Sequence, residues 1–107
     1  MDEGMLRELG GWSVRGWSLL QNQLFTLALI DSRPPASTKI GHRLANVFFV
    51  EPTKLELNKI LRSVGQPIDL NRAEQRALPG GITRFEFSLS GGASIVVVAK
   101  HASALFF

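Results

Sequence analysis

His42 and His101 are the chain's only histidines, and imidazole is the side chain whose ordinary pKa lies closest to neutrality. With Lys39, Arg43 and Lys100 nearby in sequence, they make up the parts list of a small ribonuclease. One imidazole takes a proton, the other returns it, and a cation steadies the phosphate. That reading expects His42 and His101 to meet in space. The rest of the inventory is thin. There is no cysteine and no tyrosine, which removes thiol nucleophiles, disulfides and thiolate metal sites. Two histidines without cysteine give no zinc spacing, and the carboxylates are scattered rather than paired. Gly11 and Gly16 have the spacing of a phosphate loop, but Trp17-Ser18 stands where Lys-Ser/Thr is required. No cofactor and no metal is implied, and a non-catalytic protein is the preferred reading over an enzyme.

The cations allow a second chemistry. From Ser32 to Val50 there is no acid, while Arg33, Lys39, His42 and Arg43 all fall there. Arg72 and Arg76 form a smaller basic pair downstream. These six side chains are the candidate contacts for nucleic acid, whose backbone rewards clustered positive charge. The net charge of +3 and the pI near 10.0 point the same way, weakly.

The third group is apolar. Trp12 and Trp17 each follow a glycine and are five residues apart. On a regular strand that odd spacing sends them to opposite faces, leaving one free for a partner. The chain ends Leu105-Phe106-Phe107, whereas a terminus is ordinarily polar and frayed. The tail must fold back on its own sheet or pack on a protein partner or a second copy. Trp12, Trp17, Leu105, Phe106 and Phe107 are therefore the candidate partner-binding residues. A protein-interaction module, self-associating or binding another protein through the C-terminal hairpin and tail, is the preferred function. Nucleic-acid binding and the histidine ribonuclease are the alternatives.

Elements must position these groups. Met1 to Leu9 has one-face helical spacing and stops at Gly10-Gly11. Trp12 to Leu20, Leu24 to Ile30 and Leu44 to Val50 read as strands. In Leu24 to Ile30 both alternating sets are apolar, the mark of a strand covered on two sides. Pro34-Pro35 makes Asp31 to Arg43 a loop. Pro52, with Leu57, Ile60, Leu61 and Val64 at helical spacing and Gly65 beyond, predicts a helix. Asn71 and Glu74 resemble a capping box, so a short helix is expected over Leu70 to Leu78. Phe85, Phe87 and Leu89 alternate with polar residues, Gly91-Gly92 suits a hairpin turn, and Ile95 to Ala99 is β-branched and apolar.

The whole of 1–107 is thus expected to be a single α+β domain. Its order is α-β-β-loop-β-α-α-β-β, with an antiparallel sheet of about five strands and two or three short helices on one face. A chain of this length hides roughly 65% of its unfolded surface. The acidic start and the lack of an apolar run near the ~20 residues of a membrane helix predict a cytoplasmic protein with no membrane partner.

Overall fold

The computed structural model describes residues 3–21, 23–31, 33, 43–60 and 67–107. One short helix, α1 (Glu3–Glu8), precedes eight strands: β1 (Ser13–Leu20), β2 (Leu24–Ile30), β3 (Leu44–Val50), β4 (Lys54–Asn58), β5 (Ile68–Leu78), β6 (Ile82–Leu89), β7 (Ser94–Ala99) and β8 (His101–Phe106). They form one antiparallel sheet in the order β4-β7-β6-β5-β1-β2-β3-β8.

The expected α+β domain of about five strands and two or three helices is therefore corrected to a sheet of eight strands with one short helix. The tail adds one strand, and two expected helices are strands, both for the same reason. Lys54-Leu55-Glu56-Leu57-Asn58 carries a period of two inside the expected helix. Leu55 and Leu57 pair with Val97 and Ile95 of β7. Arg72, Glu74 and Arg76 likewise alternate with Ala73, Gln75 and Ala77 within β5. These are good helix formers, yet each pairs with a residue of β6. Ala73 lies opposite Phe87, and Gln75 lies opposite Phe85. Cross-strand packing overrides intrinsic propensity, and the small Ala73 makes room for the Phe87 ring. The C-terminal part of the first expected helix, residues 61–66, lies outside the described residues.

The sheet is bent into two halves that face each other. In one half β1, β2, β3 and β8 are neighbours; in the other, β4, β7, β6 and β5. Two corners join them. At the first, Ser13 and Val14 of β1 pair with Asp69 and Ile68 of β5. At the second, β3 runs on into β4 and β7 runs on into β8. There Glu51 takes a positive φ of 48°, and the Thr53 amide donates to the Val98 carbonyl at 2.8 Å.

Between the halves lies one core. Phe25, Leu27, Leu29, Val47 and Phe49 come from the first half; Phe85, Phe87, Ile95 and Val97 come from the second. Phe49 bridges them, with ring centroids 5.1 Å from Phe85 and 6.0 Å from both Phe87 and Phe25. Helix α1 docks against β5, and Leu6 of the helix and Leu9 of the turn after it sink into the same core. That contact stabilises a helix too short to stand alone.

The expected C-terminal hairpin is present. Phe85 pairs with Val97 and Phe87 with Ile95. Its turn is a 3-10 turn over Ser90–Gly92 rather than a two-residue loop, with positive φ at Gly91 and Gly92. The tail folds back as β8 beside β3.

Candidate interaction surface

Because strand side chains alternate, each half of the sheet has an outer face as well as an inner one. The two outer faces have opposite chemistry.

On β5, β6 and β4 the outer face is charged. Arg72 pairs with Glu74 at 2.6 Å, Lys54 with Glu56 at 3.1 Å, and Arg84 with Glu86. Each pair runs along its own strand. Across the sheet, like faces like: Glu74 lies opposite Glu86, and Arg76 opposite Arg84. Such like-charge rungs are unfavourable on their own, so the along-strand pairs must offset them. Arg72, Glu74, Arg76, Arg84 and Glu86 also line a groove of about 770 Å³ that Arg7 of α1 borders. Arginine and glutamate alternate in it, so the basic pair predicted for nucleic acid stands in a mixed field. Arg72 and Arg76 project from one strand face with Glu74 between them, not from one face of a helix.

The Lys54 hydrogen bond is the main cause that lowers the Glu56 pKa below the ordinary carboxylate value. A carboxylate depressed in the folded state stabilises the fold above its unfolded pKa, and this contribution fades as pH falls through the lower folded value. Lys54→Met is expected to move the Glu56 titration midpoint up toward the ordinary value, read by NMR. An unmoved midpoint would show that the pair does not form in solution.

On β1, β2, β3 and β8 the outer face is different. Register places Leu20, Leu24, Val50 and His101 side by side in one row. Ser18, Thr26, Phe48 and Ser103 form the next, and Gly16, Ala28, Asn46 and Leu105 the third. Ile30 pairs with Leu44, whose amide and carbonyl exchange hydrogen bonds with Phe107 at 2.9 and 2.8 Å. No aspartate, glutamate, lysine or arginine occurs in these rows. Leu20 is 62% exposed, Leu105 57%, Phe107 49% and Val50 43%. Arg15, exposed at the bulge between the inward Val14 and Trp17, borders these rows, and four large apolar side chains open to water beside it make a patch that soluble surfaces ordinarily avoid.

The predicted partner-binding residues divide between the faces. Leu105 and Phe107 lie on this outer patch. Phe106 points inward, partly buried against the core. Trp12 is fully buried, its ring edge-to-face with Phe106 at 5.9 Å. Trp17 is half-buried and also packs on the core, opposite Leu27. The two tryptophans share a face because the β1–β2 register shifts between Val14 and Gly16. A bulge adds one residue and resets the alternation. His101 is exposed at the end of the first row. Lys39 and His42 lie outside the described residues. Arg33 and Arg43 sit at the two ends of the basic loop, where an Arg43 Nη1 hydrogen bonds the Arg33 carbonyl at 3.4 Å. Arg33 is bound to the buried Asp31.

Sequence reading missed Gly16, Leu20, Leu24, Phe48 and Val50 as surface contributors. The signal was the double apolar alternation of Leu24 to Ile30. Only one of its two sets is buried: Phe25, Leu27 and Leu29 are at 0% exposure, and the other set belongs to the outer patch.

The described residues define a mostly β protein, a bent antiparallel sheet with one outer face lined by charged pairs and another dominated by uncharged side chains. The fold is similar to that of an uncharacterized protein from Neisseria gonorrhoeae known from a crystal structure. The TM-score is 0.61 with 11% sequence identity, over 89% of this chain and 90% of that one. At that identity the likeness is one of fold. No family model and no curated protein matches the chain. Among the described residues, no helix is long and apolar enough to cross a membrane.

Proposed function

We propose that this chain is a non-catalytic protein-interaction module that binds an apolar protein surface through the outer face of β1, β2, β3 and β8. One observation carries the reading. Strands β2 and β3 are largely apolar on both faces, and the described residues bury the inner one fully and the outer one only in part. Leaving Leu20, Val50, Leu105 and Phe107 in water forfeits burial worth on the order of 1.5–3 kcal/mol for each fully covered side chain. A partner surface recovers that energy. Trp12 and Phe106 act from inside, by holding β8 on the core. A cysteine-free chain is suited to a reducing compartment, and a cytoplasmic site belongs to the same proposal.

The test compares the parent chain with a Leu105→Lys, Phe107→Lys variant. Solution mass is read by light scattering, and capture of protein from lysate is read with and without nuclease. The reading expects an association, as higher mass or as a nuclease-insensitive captured protein, that the variant loses. Identical behaviour of the two chains removes the proposal. Capture that disappears with nuclease assigns the association to nucleic acid instead.

A further inference from the structure

Gly16 has no local reason to be glycine. It lies inside β1 without a positive φ, so its backbone is open to any residue. Its two chain neighbours aside, a Cβ built on it meets nothing within 4 Å. The bulge beside it does not demand glycine either, because only the bulge type with a left-handed residue does. Glycine in a strand weakens it, and often marks a place where another molecule approaches closely.

The face around Gly16 has relief. On the β1–β2 side the two inner rows carry small residues: Gly16 beside Ala28, and Ser18 beside Thr26. On the β3–β8 side the same rows each carry one large apolar residue, Leu105 beside Asn46 and Phe48 beside Ser103. A two-fold axis parallel to the strands, between β2 and β3, exchanges the two sides without changing rows. It sets Leu105 of one copy over Gly16 of the other, and Phe48 over Thr26. The face is thus self-complementary in shape, as an isologous contact requires. The charged Arg15 beside Gly16 belongs to β1, which the axis sets over β8 of the other copy and not over its β1, so no like-charge contact opposes the match.

Resting on the interaction reading above, we infer that the partner is a second copy of this chain, stacked face to face with Leu105 seated in the Gly16 hollow. Four strands about 4.8 Å apart and four rows deep offer roughly 450 Å² per copy. The pair buries about 900 Å² in total, below the ~1,200 Å² at which stable interfaces begin. The dimer is therefore reversible, and must be sought at protein concentrations up to about 1 mM.

The chain has no cysteine, so an introduced pair reports cleanly. Within one copy, positions 16 and 105 are three strand spacings apart, about 14 Å, too far for a disulfide, which needs Cα atoms within about 7 Å. Across the stacked faces they are about 10 Å apart, so a Gly16→Cys, Leu105→Cys variant treated with a short bifunctional thiol cross-linker is expected to give a covalent dimer, while each single variant does not. Gly16→Leu fills the hollow and is expected to weaken dimerisation at least tenfold, with a thermal midpoint equal to or above that of the parent. A parent dimer that Leu105→Lys abolishes, but that Gly16→Leu leaves intact and the cysteine pair does not link, overturns this register and leaves the interaction reading standing. A parent that is monomeric throughout yet captures a protein through the same face overturns the second copy alone. A monomeric parent that captures nothing overturns both.

Discussion

Phe49→Ala is expected to lower the unfolding free energy by about 3–5 kcal/mol, the usual cost of truncating a fully buried phenylalanine. The ring has no exposure and touches three other rings. Phe25 is its neighbour on β2, and Phe85 and Phe87 belong to the opposite half of the sheet. Its removal opens a cavity where the halves meet, so neither half can relax into the space without moving a corner. A domain of this size has about 5–15 kcal/mol of net stability, and the variant loses a large part of it. The measurement is a urea midpoint at low protein concentration, with an unchanged slope showing that two-state behaviour holds. The adjacent Phe48→Ala is the control. Phe48 lies on the outer face and is only partly buried, so its truncation costs much less, about 1 kcal/mol. Equal costs at 48 and 49 would mean that the two faces of β3 are wrongly assigned.

The same pair of residues shows what could be read in the sequence. Periodicity located β2, β3, β6 and β7, and it identified Phe85, Phe87 and Ile95 as core. It did so because alternation is a local property of the chain. It could not decide what covers the second face of a strand that is apolar on both, since that depends on which strands become neighbours. Residues 54–58 and 68–78 failed for a related reason. Their alternation was visible, but Lys, Glu, Ala, Arg and Leu are helix formers, and Pro52 and Asn71 offered plausible starts. Only the phenylalanines of β6 and the branched residues of β7 settle the matter, from across the sheet. The bulge near Arg15 is equally silent in sequence, yet it decides that Trp17 turns inward with Trp12.

The tail is where reading and structure meet most closely. The choice between folding back and facing a partner was posed as exclusive. The pleat folds the tail back on its own sheet and leaves its outward side chains open to the proposed partner. Phe106 goes inward to Trp12, while Leu105 and Phe107 on either side go outward. A terminal strand of alternating apolar residues can complete its own core and still present a surface.

Arg33→Met is expected to cost about 3–5 kcal/mol, more than Asp31→Ala at the other end of the same ion pair. The Asp31 side chain is fully buried, whereas that of Arg33 is 29% exposed. Nε and Nη2 of Arg33 donate to the two carboxylate oxygens at 2.8 and 3.0 Å, and the Arg33 amide adds a third hydrogen bond at 3.1 Å. This bidentate fork is the geometry that makes a buried pair hold, and the hydrogen bond to Asp31 raises the guanidinium pKa above its ordinary value. Removing the Arg33 side chain takes the bidentate cation away from a buried carboxylate, the expensive way to break a pair. Removing Asp31 leaves a cation that can turn toward solvent, so the loss is smaller. Costs below about 1 kcal/mol for both variants, as for exposed pairs, would show that the carboxylate is wet in solution. The pair matters beyond its own energy because the Asp31 amide donates to the Arg43 carbonyl at 2.8 Å, fixing both ends of the basic loop. The next residue, Leu44, is the one that exchanges hydrogen bonds with Phe107. Loss of Arg33 should therefore loosen the Phe107 corner of the apolar face, and amide exchange at Leu44 and Phe107 should speed up in Arg33→Met before that of β6 or β7.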